Sequence, residues 1–160
     1  MEKVIAIDYE RCTGCRRCEL ACSLHHFGEC NPKLSCIRLV FLEETKETFP
    51  VSCTNCSTPI CLDLCPVKAI SIDVKTTAVV IDRNRCIGCK TCVIHCPFGA
   101  AGFDPHTRVS FKCDLCGGEP LCTKFCPSGA LKFLPLDEFL DIRRRDFANE
   151  TRKAQAEGRR

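Results

Sequence analysis

The 160-residue sequence contains no tryptophan, one tyrosine and one methionine, so ten phenylalanines are nearly all of its bulky packing material. Such a chain has little with which to build an ordinary apolar core, although its length suits one domain or two small fused ones. No apolar run approaches the roughly 18 residues that cross a bilayer, so no direct membrane span is expected and any membrane link would pass through a partner. The segment from Met1 to Asp8 carries charges at positions 2, 3 and 8 and lacks the apolar stretch and small-residue cleavage site of an export signal. This predicts a cytoplasmic chain and argues against a disulfide scaffold, which needs an oxidising compartment. Also missing are a nucleophile–base pattern, a phosphate-binding glycine loop and a dinucleotide fingerprint. No catalytic residue is therefore expected.

What the sequence has instead is cysteine, 18 in all. Sixteen fall into four groups, each opening C-x2-C and ending x3-C, within spans of 11 to 14 residues. They are Cys12, Cys15, Cys18 and Cys22; Cys53, Cys56, Cys61 and Cys65; Cys86, Cys89, Cys92 and Cys96; and Cys113, Cys116, Cys122 and Cys126. The third group, followed by Pro97, has the C-x2-C-x2-C-x3-C-P spacing with which bacterial ferredoxins hold [4Fe–4S] clusters. Three thiolates at x2 intervals can wrap three corners of one cubane. The fourth lies too far round and in two-cluster ferredoxins ligates the other cluster, so each group demands a partner group. A zinc ribbon would need two well-separated C-x2-C halves, a poorer match. Four [4Fe–4S] clusters are expected, with three clusters plus zinc or [3Fe–4S], and zinc throughout, as alternatives.

Ligation also changes the electrostatics. The formal charge is +3 with neutral thiols, but sixteen thiolates and four oxidised cubane cores bring it to about −5. A nucleic-acid partner loses its electrostatic motive. Arg16, Arg17, Lys68, Lys90 and Lys124 stand beside ligand positions and could raise cluster potentials by stabilising the reduced core. Cys30 and Cys36 lie outside the groups and read as small buried residues; the four histidines, His25, His26, His95 and His106, read as surface or loop residues.

Short strands are expected at 4–7, 67–73, 78–82, 108–111 and 128–134, with a helical turn or two over 20–26. Two strands, 36–42 and 48–51, form a β-hairpin insertion within 27–52. Residues 5–22 match 79–96 at an offset of 74, and Cys53 matches Cys113 at an offset of 60, an internal repeat. Together these predict an α+β fold of two fused ferredoxin-like units, each with two [4Fe–4S] clusters. Residues 1–135 would be the double ferredoxin-like domain. The tail, 136–160, would be a helix from about 136 to 153 with Leu136, Phe139, Leu140 and Phe147 near one face, packed on the chain's own core or docked on a partner.

Over residues 3 to 134 the sequence resembles the four-cluster ferredoxin-type electron-transfer subunits of molybdenum and tungsten enzymes, such as dimethyl sulfoxide reductase and formate dehydrogenase. It is also similar to the ferredoxin-like subunits of carbon monoxide dehydrogenase and hydrogenase systems. The resemblance implies that the first and fourth groups share one pair of clusters and the second and third the other. Cys12, Cys15 and Cys18 with Cys126 would hold cluster 1, and Cys113, Cys116 and Cys122 with Cys22 cluster 2. Cys53, Cys56 and Cys61 with Cys96 would hold cluster 3, and Cys86, Cys89 and Cys92 with Cys65 cluster 4.

A narrower likeness, over Cys22 to Ser35, is to the small iron–sulfur subunits of tungsten-containing aldehyde oxidoreductases, including the branch related to benzoyl-CoA reduction, although Cys36 stands where those relatives would have Arg. The resemblance implies an electron-transfer subunit that relays electrons between the pterin cofactor of a tungsten or molybdenum catalytic subunit and an external carrier or a further electron-transfer or flavin subunit. Self-association remains open. The alternatives are a subunit of a carbon monoxide dehydrogenase, hydrogenase or formate dehydrogenase system, or a free polyferredoxin.

Overall fold

The structure, a computed structural model, describes residues 2–156 and 158. Met1 and positions 157, 159 and 160, including the end of the expected tail, lie outside the described residues. Strands of three to six residues pair only two at a time, giving four antiparallel ribbons. β1 (Lys3–Ile7) pairs with β8 (Leu131–Pro135), β2 (Ile37–Leu42) with β3 (Glu47–Ser52), β4 (Ile70–Ile72) with β5 (Val79–Ile81), and β6 (Gly102–Asp104) with β7 (Val109–Phe111). Between them run α1 (Arg17–Phe27), the one-turn helices α2 (Ile60–Asp63), α3 (Thr91–Ile94) and α4 (Leu121–Lys124), and α5 (Leu136–Ala156).

The pairing is nested. β4 follows the second cysteine group and β5 precedes the third, so a single hairpin joins those groups, and α2 packs on α3. β1 precedes the first group and β8 follows the fourth, so groups at opposite ends of the chain meet, and α1 packs on α4. The two units share backbone detail. Asp8 N–H donates to the Ala130 carbonyl and Asp82 N–H to the Ala69 carbonyl, both at 2.8 Å. Gly14 and Gly88 both have φ of +67°, and Arg16 and Lys90 have φ of 60° and 62°, so the offset of 74 recurs as geometry. This is the α+β fold of two ferredoxin-like units expected from the sequence.

Cysteine occupies positions where other proteins put leucine. The larger core cluster contains Cys18, Cys22, Cys36, Cys113 and Cys122 beside Leu34, Ile37, Phe111, Leu115 and Leu131. The smaller one joins Cys92 to Ile70 and Val79.

Two elements differ from expectation for identifiable reasons. The first group ends on Cys22-Ser23 where the others end on Cys-Pro, so nothing stops the helix and α1 runs 11 residues to a left-handed Gly28. Ser23 is fully buried; its hydroxyl donates to the Leu20 carbonyl at 3.2 Å and accepts from Asn31 N–H at 3.0 Å, tying the insertion to α1. In α5, Phe139 and Ile142 line a groove against β1 and β8, whereas Leu140 and Phe147, at 41 % and 71 % exposure, point elsewhere. The four apolar residues expected on one face therefore divide between two.

Candidate metal centres

Each cysteine group begins in a loop whose backbone needs special conformations. At Gly88 a β-carbon would lie 2.1 Å from the Arg108 carbonyl oxygen, and φ is positive as well, so only glycine lets the Cys86–Cys89 loop close against the β6–β7 turn. The loop leads into α3, which carries Cys92. The first group repeats this plan through Gly14 and α1.

Cavities show which sulfurs converge. One is lined by Cys12, Cys15 and Cys18 together with Cys126, closed by Leu39, Pro50 and Leu131. Another is lined by Cys86, Cys89 and Cys92 together with Cys65, closed by Ile70, Ile81 and Ala69. In both, the fourth sulfur comes from a different group. Cys22, Cys113 and Cys122 are buried in one cluster, with Cys53 and Cys126 packed at its edge. Cys56 and Cys61 are half-buried. Cys61 belongs to α2 and Cys96 lies two residues beyond α3; the link between them is the packing of those two helices.

Donors aim at these sulfurs. After Cys65-Pro66 and Cys96-Pro97 the chain turns back so that an alanine N–H reaches the cysteine: Ala69 to Cys65 Sγ at 3.2 Å and Ala100 to Cys96 Sγ at 3.4 Å. Cys22, with no proline after it, receives Cys36 N–H at 3.3 Å instead. Thr91 Oγ1 donates to Cys89 Sγ at 3.3 Å.

Burial pushes the Cys18 and Cys113 thiols up to about 12, and raises Cys53, Cys92, Cys116 and Cys122 as well. These sulfurs favour the neutral thiol unless a cationic centre holds them as thiolates. Cys22 is lowered to about 6, chiefly because the Cys36 side chain donates a hydrogen bond to it; Cys36 is driven up for the same reason. Burial raises Cys126, but the Ser128 hydroxyl and backbone N–H groups outweigh it and the net shift is downward. An all-sulfur donor set, gathered in apolar cavities and met by N–H donors, fits iron–sulfur clusters.

Three residues near the sulfurs escaped sequence reasoning. Cys36 is buried, as expected, but against Cys22 rather than inertly, whereas Cys30, expected to be buried too, is exposed just after the end of α1. His26 is not a free surface residue: its Nε2 lies 3.6 Å from Cys116 Sγ and 3.4 Å from Asp114 Oδ1. Lys112 Nζ lies 3.6 Å from Cys61 Sγ. Its position next to Cys113 was a signal, but one that pointed to the wrong group. Of the flanking charges singled out from sequence, Lys124 pairs with Glu119 at 2.6 Å, Arg16 approaches Glu19 at 3.8 Å and Lys90 lies over the Phe103 ring at 4.3 Å.

Fold and sulfur sites together define an iron–sulfur electron-transfer protein of the ferredoxin type. A family model described as "4Fe-4S dicluster domain" matches residues 45–135, one described as "4Fe-4S binding domain" matches residues 4–26, and the chain belongs to the 4Fe-4S dicluster family. It is similar to the polyferredoxin-like subunit of an aliphatic sulfonate oxidoreductase from Pyrococcus furiosus, 36% identical over 91% of this chain and 94% of that one. It is also similar to the B subunit of anaerobic dimethyl sulfoxide reductase from Escherichia coli K12, 34% identical over 82% of this chain and 73% of that one. Among solved structures, an active site complex BamBC of benzoyl coenzyme A reductase contains a chain that overlaps with a TM-score of 0.48, at 28% identity over 82% of this chain and 75% of that one. Such relatives are oxidoreductase subunits, and this chain is an electron-transfer subunit of that kind, not the catalytic one. No helix among the described residues is long and apolar enough to cross a membrane.

Proposed function

We propose that this chain carries four [4Fe–4S] clusters in a relay that serves a tungsten or molybdenum pterin catalytic subunit. The observation that carries the reading is the pair of cavities in which three cysteines of one group meet the last cysteine of another. By the repeat, cluster 1 takes Cys12, Cys15, Cys18 and Cys126, and cluster 4 takes Cys86, Cys89, Cys92 and Cys65. The same exchange assigns Cys113, Cys116, Cys122 and Cys22 to cluster 2, and Cys53, Cys56, Cys61 and Cys96 to cluster 3. Such clusters supply one-electron transfer at potentials of roughly −700 to +450 mV. The chain's residues hold the sulfurs, exclude water from the buried ones and set potentials through donors such as Ala69, Ala100 and Thr91. Residues 1–135 form the cluster-bearing domain, with 27–52 as its insertion and 136–160 as a tail, helical over Leu136–Ala156.

For the catalytic partner, the likeness of Cys22 to Ser35 favours an aldehyde oxidoreductase type. A second reading is favoured by the relatives' names: the sulfonate and sulfoxide enzymes suggest a partner acting on an oxidised sulfur compound. Purification of the native protein with its partner, followed by tungsten and molybdenum analysis and turnover with aldehydes, sulfonates and sulfoxides, separates the two. Iron and acid-labile sulfide near 16 each per chain are expected from four cubanes. A value near eight would overturn the four-cluster reading.

A further inference from the structure

Lys112 follows β7 and is joined by its peptide bond to Cys113 of the fourth group. Its side chain leaves that group and crosses to the second, where the ammonium sits 3.6 Å from Cys61 Sγ. Lys112 is half-buried, and among the described residues it has no carboxylate partner, whereas Lys124 and Arg16 each have one. An ammonium held this close to a sulfur is attracted to it once that sulfur carries negative charge. The sulfurs of the second group are the groups placed to supply that charge, and Cys53, of that group, packs on the buried cluster that contains Cys113, Cys22 and Cys122. Lys112 thus links the fourth cysteine group to the second.

We propose that Lys112 sets the potential of the cluster held by Cys53, Cys56 and Cys61, and marks the junction where electrons cross between the inner and outer units. The inference rests on the four-cluster reading above. Lys112 touches a ligand sulfur and acts through it, so it is a positioning residue for charge. The step it influences is a one-electron reduction, with dithionite as the electron donor. One electron enters, no bond forms or breaks and no proton moves, and the site becomes more negative by one charge. A fixed ammonium at Cys61 stabilises that more negative form.

The test is an EPR-monitored redox titration of the full chain with its clusters, comparing wild type, Lys112→Gln and Lys112→Arg. The signal is assigned by its loss or alteration in Cys56→Ser. Lys112→Gln should lower the reduced-to-oxidised ratio of that cluster about tenfold at a fixed ambient potential, equivalent to a midpoint ~59 mV more negative for one electron. Lys112→Arg should restore most of the ratio, and the cluster assigned to Cys86, Cys89 and Cys92 should shift much less. An unchanged ratio in Lys112→Gln, or an equal shift of every cluster, overturns the proposal. Loss of iron in both variants also overturns it, because Lys112 would then be needed for assembly. The iron content and spin count of the wild type report separately on the four-cluster reading: full loading without the shift sinks this inference alone.

Discussion

At the scale of single residues, sulfur spacing carried most of the information and side-chain reach carried the rest. Cys96→Ser should damage the cluster of Cys53, Cys56 and Cys61 rather than that of its own neighbours, because Cys65 and Cys126 each line a cavity belonging to another group and the repeat gives Cys96 the same role. EPR spectra compared with those of Cys56→Ser and Cys89→Ser check this; a spectrum matching Cys89→Ser alone would refute the exchange. Glycines give a second contrast. Gly88→Ala places a methyl on the Arg108 carbonyl and should cost about four iron per chain, whereas Gly99→Ala meets nothing within 4 Å and should retain its iron at a cost of about 1–2 kcal/mol from its positive φ. Iron analysis and thermal melts of the two variants distinguish them. The sixteen grouped cysteines could be singled out from sequence because x2 and x3 intervals constrain where sulfurs can point. Lys112 could not, since its ammonium serves a group some fifty positions away and nothing local to it says so. Cys36 was legible as a buried residue, but its contact with Cys22 depends on where the insertion folds back.

At the scale of elements, alternating apolar residues and turn signals located β2–β3 to within a residue, with Leu42 pairing with Glu47 across the expected polar connection, whereas β4 and β8 begin three residues later than expected. β6 was less visible: Gly102-Phe103-Asp104 is short and contains glycine, and it becomes a strand only because β7 pairs with it. The pairing of β1 with β8 was out of reach of local pattern, since strands from opposite ends of the chain carry no shared signal beyond their β-propensity. The direction of α5 was also hidden, because a helix with apolar residues on two sides does not announce which side finds a partner. Deleting residues 136–160 should leave the iron in place, since Cys126 precedes the cut. It should nevertheless lower stability by about 3 kcal/mol, because Leu136, Phe139 and Ile142 are half-buried, Phe139 and Ile142 in the groove of β1 and β8, and Leu136 N–H donates to the Glu2 carbonyl at 3.0 Å. Melting curves and iron content together check this. Leu140 and Phe147 remain exposed in the isolated chain; if they dock on a catalytic subunit, replacing both with serine should abolish co-elution while leaving the melting curve nearly unchanged. An intact complex would refute docking by that side of the helix.

At the scale of the whole molecule, buried cysteines sit where a larger protein would place leucine and isoleucine, and the absence of tryptophan already pointed there. Removing iron with a chelator under reducing conditions should therefore collapse the fold, with loss of far-ultraviolet circular dichroism, because in small metal-rich domains binding energy is folding energy. Retention of native secondary structure in the stripped chain would refute this account of the core. The nesting of the ribbons has a consequence for how the protein is made. Synthesis runs from the N-terminus, so β5 follows β4 off the ribosome at once, while β1 waits for β8 until nearly the whole cluster-bearing sequence has emerged. Nascent chains arrested before Leu131 should be cut by trypsin at Arg11, and chains released past Pro135 should resist. The inner ribbon can form while the ends of the chain are still unpaired, and, on the proposed ligand exchange, the outer unit becomes able to take up iron only after Cys126 and β8 have emerged.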